Sequence, residues 1–190
     1  MQIGFYFDQT RCTGCSACRV ACKDWHDIPA GPENWMRVLY TEIGKFPNVF
    51  VGYMIGPCWH CLDPVCAPAC PVGAITKNTE NGIVLVDSQA CLGNEECNEK
   101  CLKACPYKAP QFGSDQGAKM RKCNYCLDRF NQGKLPNCIE ACPVRALDAG
   151  SLEVLENRYG KIKETLGFKF SKKTKPAAVI KPKPLPESLR

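Results

Sequence analysis

Residues 11–22, Arg-Cys-Thr-Gly-Cys-Ser-Ala-Cys-Arg-Val-Ala-Cys, set Cys12, Cys15, Cys18 and Cys22 at the spacing C-x2-C-x2-C-x3-C. Three thiolates so spaced can wrap three irons of a cubane without stretching the backbone, and the fourth points away towards a second cluster. The rest of the chain repeats or varies this stretch. Cys58, Cys61, Cys66 and Cys70 follow at x2, x4, x3, then Cys91, Cys97, Cys101 and Cys105 at x5, x3, x3. Cys123, Cys126, Cys138 and Cys142 close the series at x2, x11, x3. Pro71, Pro106 and Pro143 follow the last cysteine of three motifs, where a fixed φ ends the local helix. After Cys22 stands Lys23 instead.

Sixteen cysteines, 15 glycines and 15 prolines in 190 residues describe a loop-rich chain whose core forms around something other than aliphatic side chains. Disulfides suit short secreted chains. Here a strand-like segment, 3–7, comes at once and the first motif follows, so no signal peptide of its own is expected. Cysteines two residues apart would also make strained bridges. Structural zinc uses paired knuckles or Cys/His pairs, not three close cysteines with a fourth before proline. Only His26 and His60 offer imidazoles. Iron–sulfur clusters remain as the staple. No apolar run reaches the ~18 residues of a membrane span.

The formal charge is +6. Each 4Fe–4S cluster with four thiolates brings about −2 when oxidised, and four bring about −8. The basic residues then offset cluster charge, and no nucleic-acid partner is expected. Neither a phosphate loop nor a dinucleotide fingerprint is present. With every iron thiolate-ligated, no iron is open to substrate. The chain suits outer-sphere electron transfer and is non-catalytic by itself.

An internal repeat frames the motifs. Phe5-Tyr6-Phe7-Asp8 leads to Cys12 as Val84-Leu85-Val86-Asp87 leads to Cys91, and Val72-Gly73-Ala74-Ile75 leaves Cys70-Pro71 as Val144-Arg145-Ala146-Leu147 leaves Cys142-Pro143. Residues 35–43 and 49–55 read as strands joined by a turn at Lys45-Phe46-Pro47-Asn48, with Trp25 and Trp35 as packing residues. Ser151 and Gly160 bound a helix. Beyond Phe170 the composition turns to Lys and Pro, and 171–190 reads as an extended tail, mobile alone or laid along a partner.

The expected fold class is α+β: two ferredoxin-like double-cluster modules with short helices, small strands and a β-hairpin insertion. One four-cluster domain covers 1–170. Module one combines 1–22 with 119–150, the hairpin insertion is 23–57, and module two is 58–105. His60 reads as a surface histidine beside a cluster, with a bond to a cluster sulfur or a quinone-facing position as the other readings. Lys119, Arg121 and Lys122 read either as a solvated loop or as charge that raises a neighbouring cluster's potential. Glu95, Glu96 and Glu99 lie in the irregular third motif and would lower its potential if close and poorly screened.

The chain resembles the four-cluster iron–sulfur (B, electron-transfer) subunits of the dimethyl sulfoxide reductase and complex iron–sulfur molybdoenzyme family. The residues that carry the likeness are DQTRCTGCSACRVACKDW (8–25), CWHCLDPVCAPACPVGA (58–74), ACPYKAPQ (104–111), KCNYCLDR (122–129), CIEACPVRALDAG (138–150) and Val179-Ile180-Lys181-Pro182.

The resemblance implies four 4Fe–4S clusters with exchanged ligands. Cluster one would take Cys12, Cys15, Cys18 and Cys142, and cluster two Cys22, Cys123, Cys126 and Cys138. Cluster three would take Cys70, Cys91, Cys97 and Cys101, and cluster four Cys58, Cys61, Cys66 and Cys105. It implies a spatial order too, with cluster one facing a large molybdopterin (Mo or W) catalytic subunit and cluster four facing a quinol-linked membrane anchor or another redox partner. The third motif departs from the family's tighter spacing, and a 3Fe–4S cluster is the alternative there. Membrane association would come through partners, on the periplasmic or cytoplasmic face, in anaerobic respiration. The rival reading is a free-standing polyferredoxin.

Overall fold

The computed structural model describes residues 1–189. Along the chain run β1 (Ile3–Asp8), α1 (Ala17–Trp25), β2 (Val38–Lys45), β3 (Asn48–Ile55), β4 (Ile75–Lys77), β5 (Val84–Val86), α2 (Asn94–Cys97), α3 (Lys100–Ala104), α4 (Leu127–Phe130), α5 (Asn137–Glu140), β6 (Leu147–Ser151), α6 (Leu152–Tyr159) and β7 (Ala178–Lys181). Small sheets and short helices joined by loops make a mixed α+β fold, as the sequence leads one to expect.

Strand β1 is the centre of the largest sheet, in the order β6-β1-β7. Its sequence, Ile-Gly-Phe-Tyr-Phe-Asp, is buried at every position, as a strand covered on both faces must be. Alternation divides the two faces. Ile3, Phe5 and Phe7 join the core that holds most of the buried cysteines. Tyr6 turns the other way, packs with Leu152 and Leu155 of α6, and stacks on Tyr159 at 3.7 Å. Gly4 permits the close approach of the next segment, since a Cβ there would lie 2.6 Å from the Ala177 carbonyl oxygen.

The repeated strands seen in the sequence pair with one another. β1, ahead of the first motif, runs antiparallel to β6, which follows the fourth motif, from Ile3↔Ser151 to Phe7↔Leu147. β5, ahead of the third motif, runs antiparallel to β4, which follows the second, from Ile75↔Val86 to Lys77↔Val84. The expected hairpin is β2–β3, in register from Val38↔Ile55 to Lys45↔Asn48. Its first strand starts at Val38 rather than at 35, because Trp35 is instead a buried anchor that donates its indole N–H to Glu33 at 2.6 Å. The expected helix is α6, ended at Gly160 with φ 90°.

The C-terminal segment corrects the sequence reading. Within 171–190, β7 pairs parallel with β1, from Phe5↔Ala178 to Asp8↔Lys181. Ala177, Ala178, Val179 and Ile180 are completely buried. The segment is extended, yet it is a strand of the central sheet and not a mobile tail. Four apolar residues between Lys/Pro stretches are too few to show a period, but they satisfy the open edge of β1. No described helix is long and apolar enough to cross a membrane.

Candidate iron–sulfur sites

In every motif the last two cysteines stand four residues apart, so in a helical turn they share one face. α1 carries Cys18 and Cys22 in this way, and both are buried. α3 begins the same step for Cys101 and Cys105, and α5 for Cys138 and Cys142. α1 lies against α5, where the Asn137 amide donates to the Ala21 carbonyl at 3.0 Å. One turn of helix thus presents one thiol to its own motif's site and the next thiol to a neighbouring site.

All sixteen cysteines are free, and only Cys15 is exposed. Cys12, Cys15, Cys18 and Cys142 line one pocket, walled by Phe7, Val38 and Ile55. Cys70, Cys91, Cys97 and Cys101 line another, walled by Ile75, Val86 and Met120. Cys22 and Cys126 lie within electrostatic reach of each other, as do Cys123 and Cys138 with both of them. Cys58, Cys61, Cys66 and Cys105 form the last group. Among the described residues, no three or more His, Cys, Asp or Glu side chains converge as one metal ion would need. In both cavities the thiols ring a space, a donor set for a body wider than a single ion.

Burial drives the thiols upward, to about 12 at Cys18, Cys22, Cys61 and Cys66 and about 11 at Cys101, with neighbouring cysteines adding to it. Such thiols keep their protons until a metal replaces them. Each group also receives a backbone N–H at a sulfur. Ala146 donates to Cys142 at 3.3 Å, Met120 to Cys91 at 3.4 Å, Tyr125 to Cys123 at 3.4 Å and Ala109 to Cys105 at 3.5 Å. Thr174 adds a buried hydroxyl beside the Cys61 sulfur and the Tyr107 phenol. A metal-bound thiolate at Cys61 would accept its proton.

The third motif absorbs its four extra residues by local winding. α2 ends on Cys97, then Asn98 and Glu99 take left-handed φ of 52° and 51° before α3 begins. This brings Cys97 back beside Cys91 and Cys101. Glu95 and Glu96 are exposed, so their charges are largely screened from the cavity.

Two pairs of thiols bring neighbouring groups together. Cys138 reaches Cys18 electrostatically, and Cys123 reaches Cys58. Cys91 and Cys101, with Cys70 packed against them, share a second core with Phe112, Met120 and Cys66 of the Cys58 group.

His60 is a second correction. It is fully buried, not on the surface. Its Nδ1 accepts the Val84 N–H at 3.0 Å, and its Nε2 lies 3.9 Å from the Cys123 sulfur. Burial, with Lys122 and Lys77 nearby, holds it well below the usual histidine range. Nor is the basic run a solvated loop. Lys122 is buried and donates to the carbonyls of Val84 and Cys123, Lys119 donates to the Cys91 carbonyl at 2.7 Å, and Arg121 pairs with buried Glu33 at 2.7 Å. Sequence reasoning misses His26, whose Nε2 lies 3.4 Å from the Cys126 sulfur. Its place one helical turn after Cys22 is the available signal. Thr174 has none, because the strand that delivers it is hidden among Lys and Pro.

The family description "4Fe-4S dicluster domain" matches residues 49–152. The B chain of anaerobic dimethyl sulfoxide reductase from Escherichia coli (strain K12) is 41% identical over 190 residues, covering 95% of this chain and 89% of the relative. Its namesake from Haemophilus influenzae is 39% identical over 191 residues, with the same two coverages of 95% and 89%. The B subunit of sulfite dehydrogenase from Allochromatium vinosum is 38% identical over 165 residues, covering 76% of this chain and 67% of the relative. The sixteen largely buried thiols suit four 4Fe–4S clusters. The chain belongs to the family of electron-transferring iron–sulfur subunits that includes these proteins.

Proposed function

We propose that the chain conducts single electrons through four 4Fe–4S clusters, held by cysteines exchanged between motifs. Cys12, Cys15, Cys18 and Cys142 hold the first, and Cys22, Cys123, Cys126 and Cys138 the second. Cys58, Cys61, Cys66 and Cys105 hold the next, and Cys70, Cys91, Cys97 and Cys101 the last. The observation that carries this reading is that each cysteine four residues after its neighbour sits with another motif's thiols, as Cys142 does with Cys12, Cys15 and Cys18. Cys97 in the fourth group's cavity supports a four-iron rather than a three-iron cluster there. The pairings β1–β6 and β4–β5 support a division into two double-cluster modules, with the hairpin inserted and the C-terminal segment returning to module one.

The clusters supply the one-electron chemistry; the chain's thiols, backbone N–H groups and apolar walls bind them, exclude water and set their charge balance. By likeness to the iron–sulfur subunit of anaerobic dimethyl sulfoxide reductase, the partners are a large molybdopterin catalytic subunit and a quinol-linked membrane anchor, through which the chain is tied to the membrane. Cys15, the exposed thiol, marks the end that meets the catalytic partner. The Cys70 group marks the opposite end. Anaerobic purification followed by iron and acid-labile sulfide analysis tests the reading. About sixteen of each per chain is expected, and zinc in their place, or iron near zero, refutes it.

A further inference from the structure

The chain has two histidines, and both present Nε2 to sulfurs of the same cysteine group. We infer that His26 and His60 set the redox potential of the cluster held by Cys22, Cys123, Cys126 and Cys138, by donating N–H···S hydrogen bonds to it from two sides. This rests on the ligand set proposed above.

All four groups have backbone N–H donors at their sulfurs, among them one in each at 3.3 to 3.5 Å. Among the described residues, ring nitrogens reach only this group, at Cys126 (3.4 Å) and Cys123 (3.9 Å). For His60 the direction of the bond is fixed. Its Nδ1 is occupied as acceptor of the Val84 N–H, so in the neutral ring the proton sits on Nε2, which can only donate. Residue Val84 is in turn clamped at its carbonyl, to which buried Lys122 donates. His60 takes a left-handed φ of 43° to reach this position, between Phe5 at 6.3 Å and Tyr125 at 5.7 Å. His26 caps α1 one turn beyond Cys22 and packs on Trp35 at 4.7 Å, itself fixed by Glu33.

A hydrogen bond to a thiolate sulfur draws off negative charge. It therefore favours the reduced, more negative cluster and raises the potential. In a buried site of low dielectric two such bonds act strongly. His60 also lies between Cys58 and Cys61 in the chain, so the donor that tunes one station belongs to the backbone of the next. The two stations are thereby coupled in position, and a shift of one segment moves both.

The test uses the full chain purified anaerobically with 15N-labelled histidine. Pulsed EPR of the reduced protein should show two imidazole 15N couplings. His26→Leu and His60→Leu should each remove one, and each should lower the same single midpoint potential in an EPR-monitored redox titration. His60→Gln, which keeps an amide donor, should recover part of the shift. Absent 15N coupling in an unsubstituted chain with full iron content overturns the inference and leaves the ligand reading standing, whatever the stability of the variants. Shifts of two different midpoints, or of none, overturn it as well. A chain without clusters overturns both.

Discussion

Tyr6 shows how a single side chain ties stability to pH. Burial first, then the neighbouring Asp8, pushes its phenol from 10.0 up to about 12. The folded state holds the neutral ring, so this stabilisation is complete below pH 10 and is lost as pH climbs towards 12. Urea denaturation should show stability falling across that window, and Tyr6→Phe should flatten the fall. Thr174 makes a different kind of prediction. Its buried hydroxyl lies at the Cys61 sulfur, with the Tyr107 phenol also beside it. Thr174→Val should lower the midpoint potential of the cluster held by Cys58, Cys61, Cys66 and Cys105, leave the others in place, and change stability by no more than about 1 kcal/mol. An unchanged potential in redox titration would mean the hydroxyl serves packing alone.

Strand β7 turns the C-terminal segment into part of the core. Ile180 is completely buried against the cysteine-bearing core, and Val179 against α6. Ile180→Ala should cost about 3 kcal/mol in equilibrium denaturation, the usual loss for a buried aliphatic side chain that leaves a cavity. A free tail would show no change. This strand also marks the limit of what the sequence discloses. Local signals are legible: the Phe5-Tyr6-Phe7-Asp8 lead-in, the hairpin turn at Phe46-Pro47, and the Ser151 to Gly160 bounds of α6. β7 is not, because a parallel neighbour far along the chain leaves no local period, and Lys and Pro dominate the composition around it. The same distinction holds within the sites. The cysteine spacings announce the groups, since the chemistry resides in neighbouring residues. The burial of His60 and Lys122 depends on β5 packing over them, which spacing does not encode.

The molecule as a whole is four thiol groups with a core organised around them. Their surroundings are not uniform. The Cys12 group includes exposed Cys15, and Cys91 and Cys101 lie in a second, smaller core. His60 and Lys122 join the Cys123 and Cys58 groups. The proposed ligand sets would account for the interleaved sequence: the first and fourth motifs would build one half, the second and third the other, and the one-turn cysteine pairs would join neighbouring sites. Cluster sharing across distant motifs is the central claim, and Cys22→Ser tests it most directly. EPR of the reduced variant, set beside Cys126→Ser and Cys15→Ser, should show the same cluster perturbed as in Cys126→Ser, with the cluster lost in Cys15→Ser intact. A Cys22→Ser spectrum that instead matches Cys15→Ser would contradict the exchange of ligands.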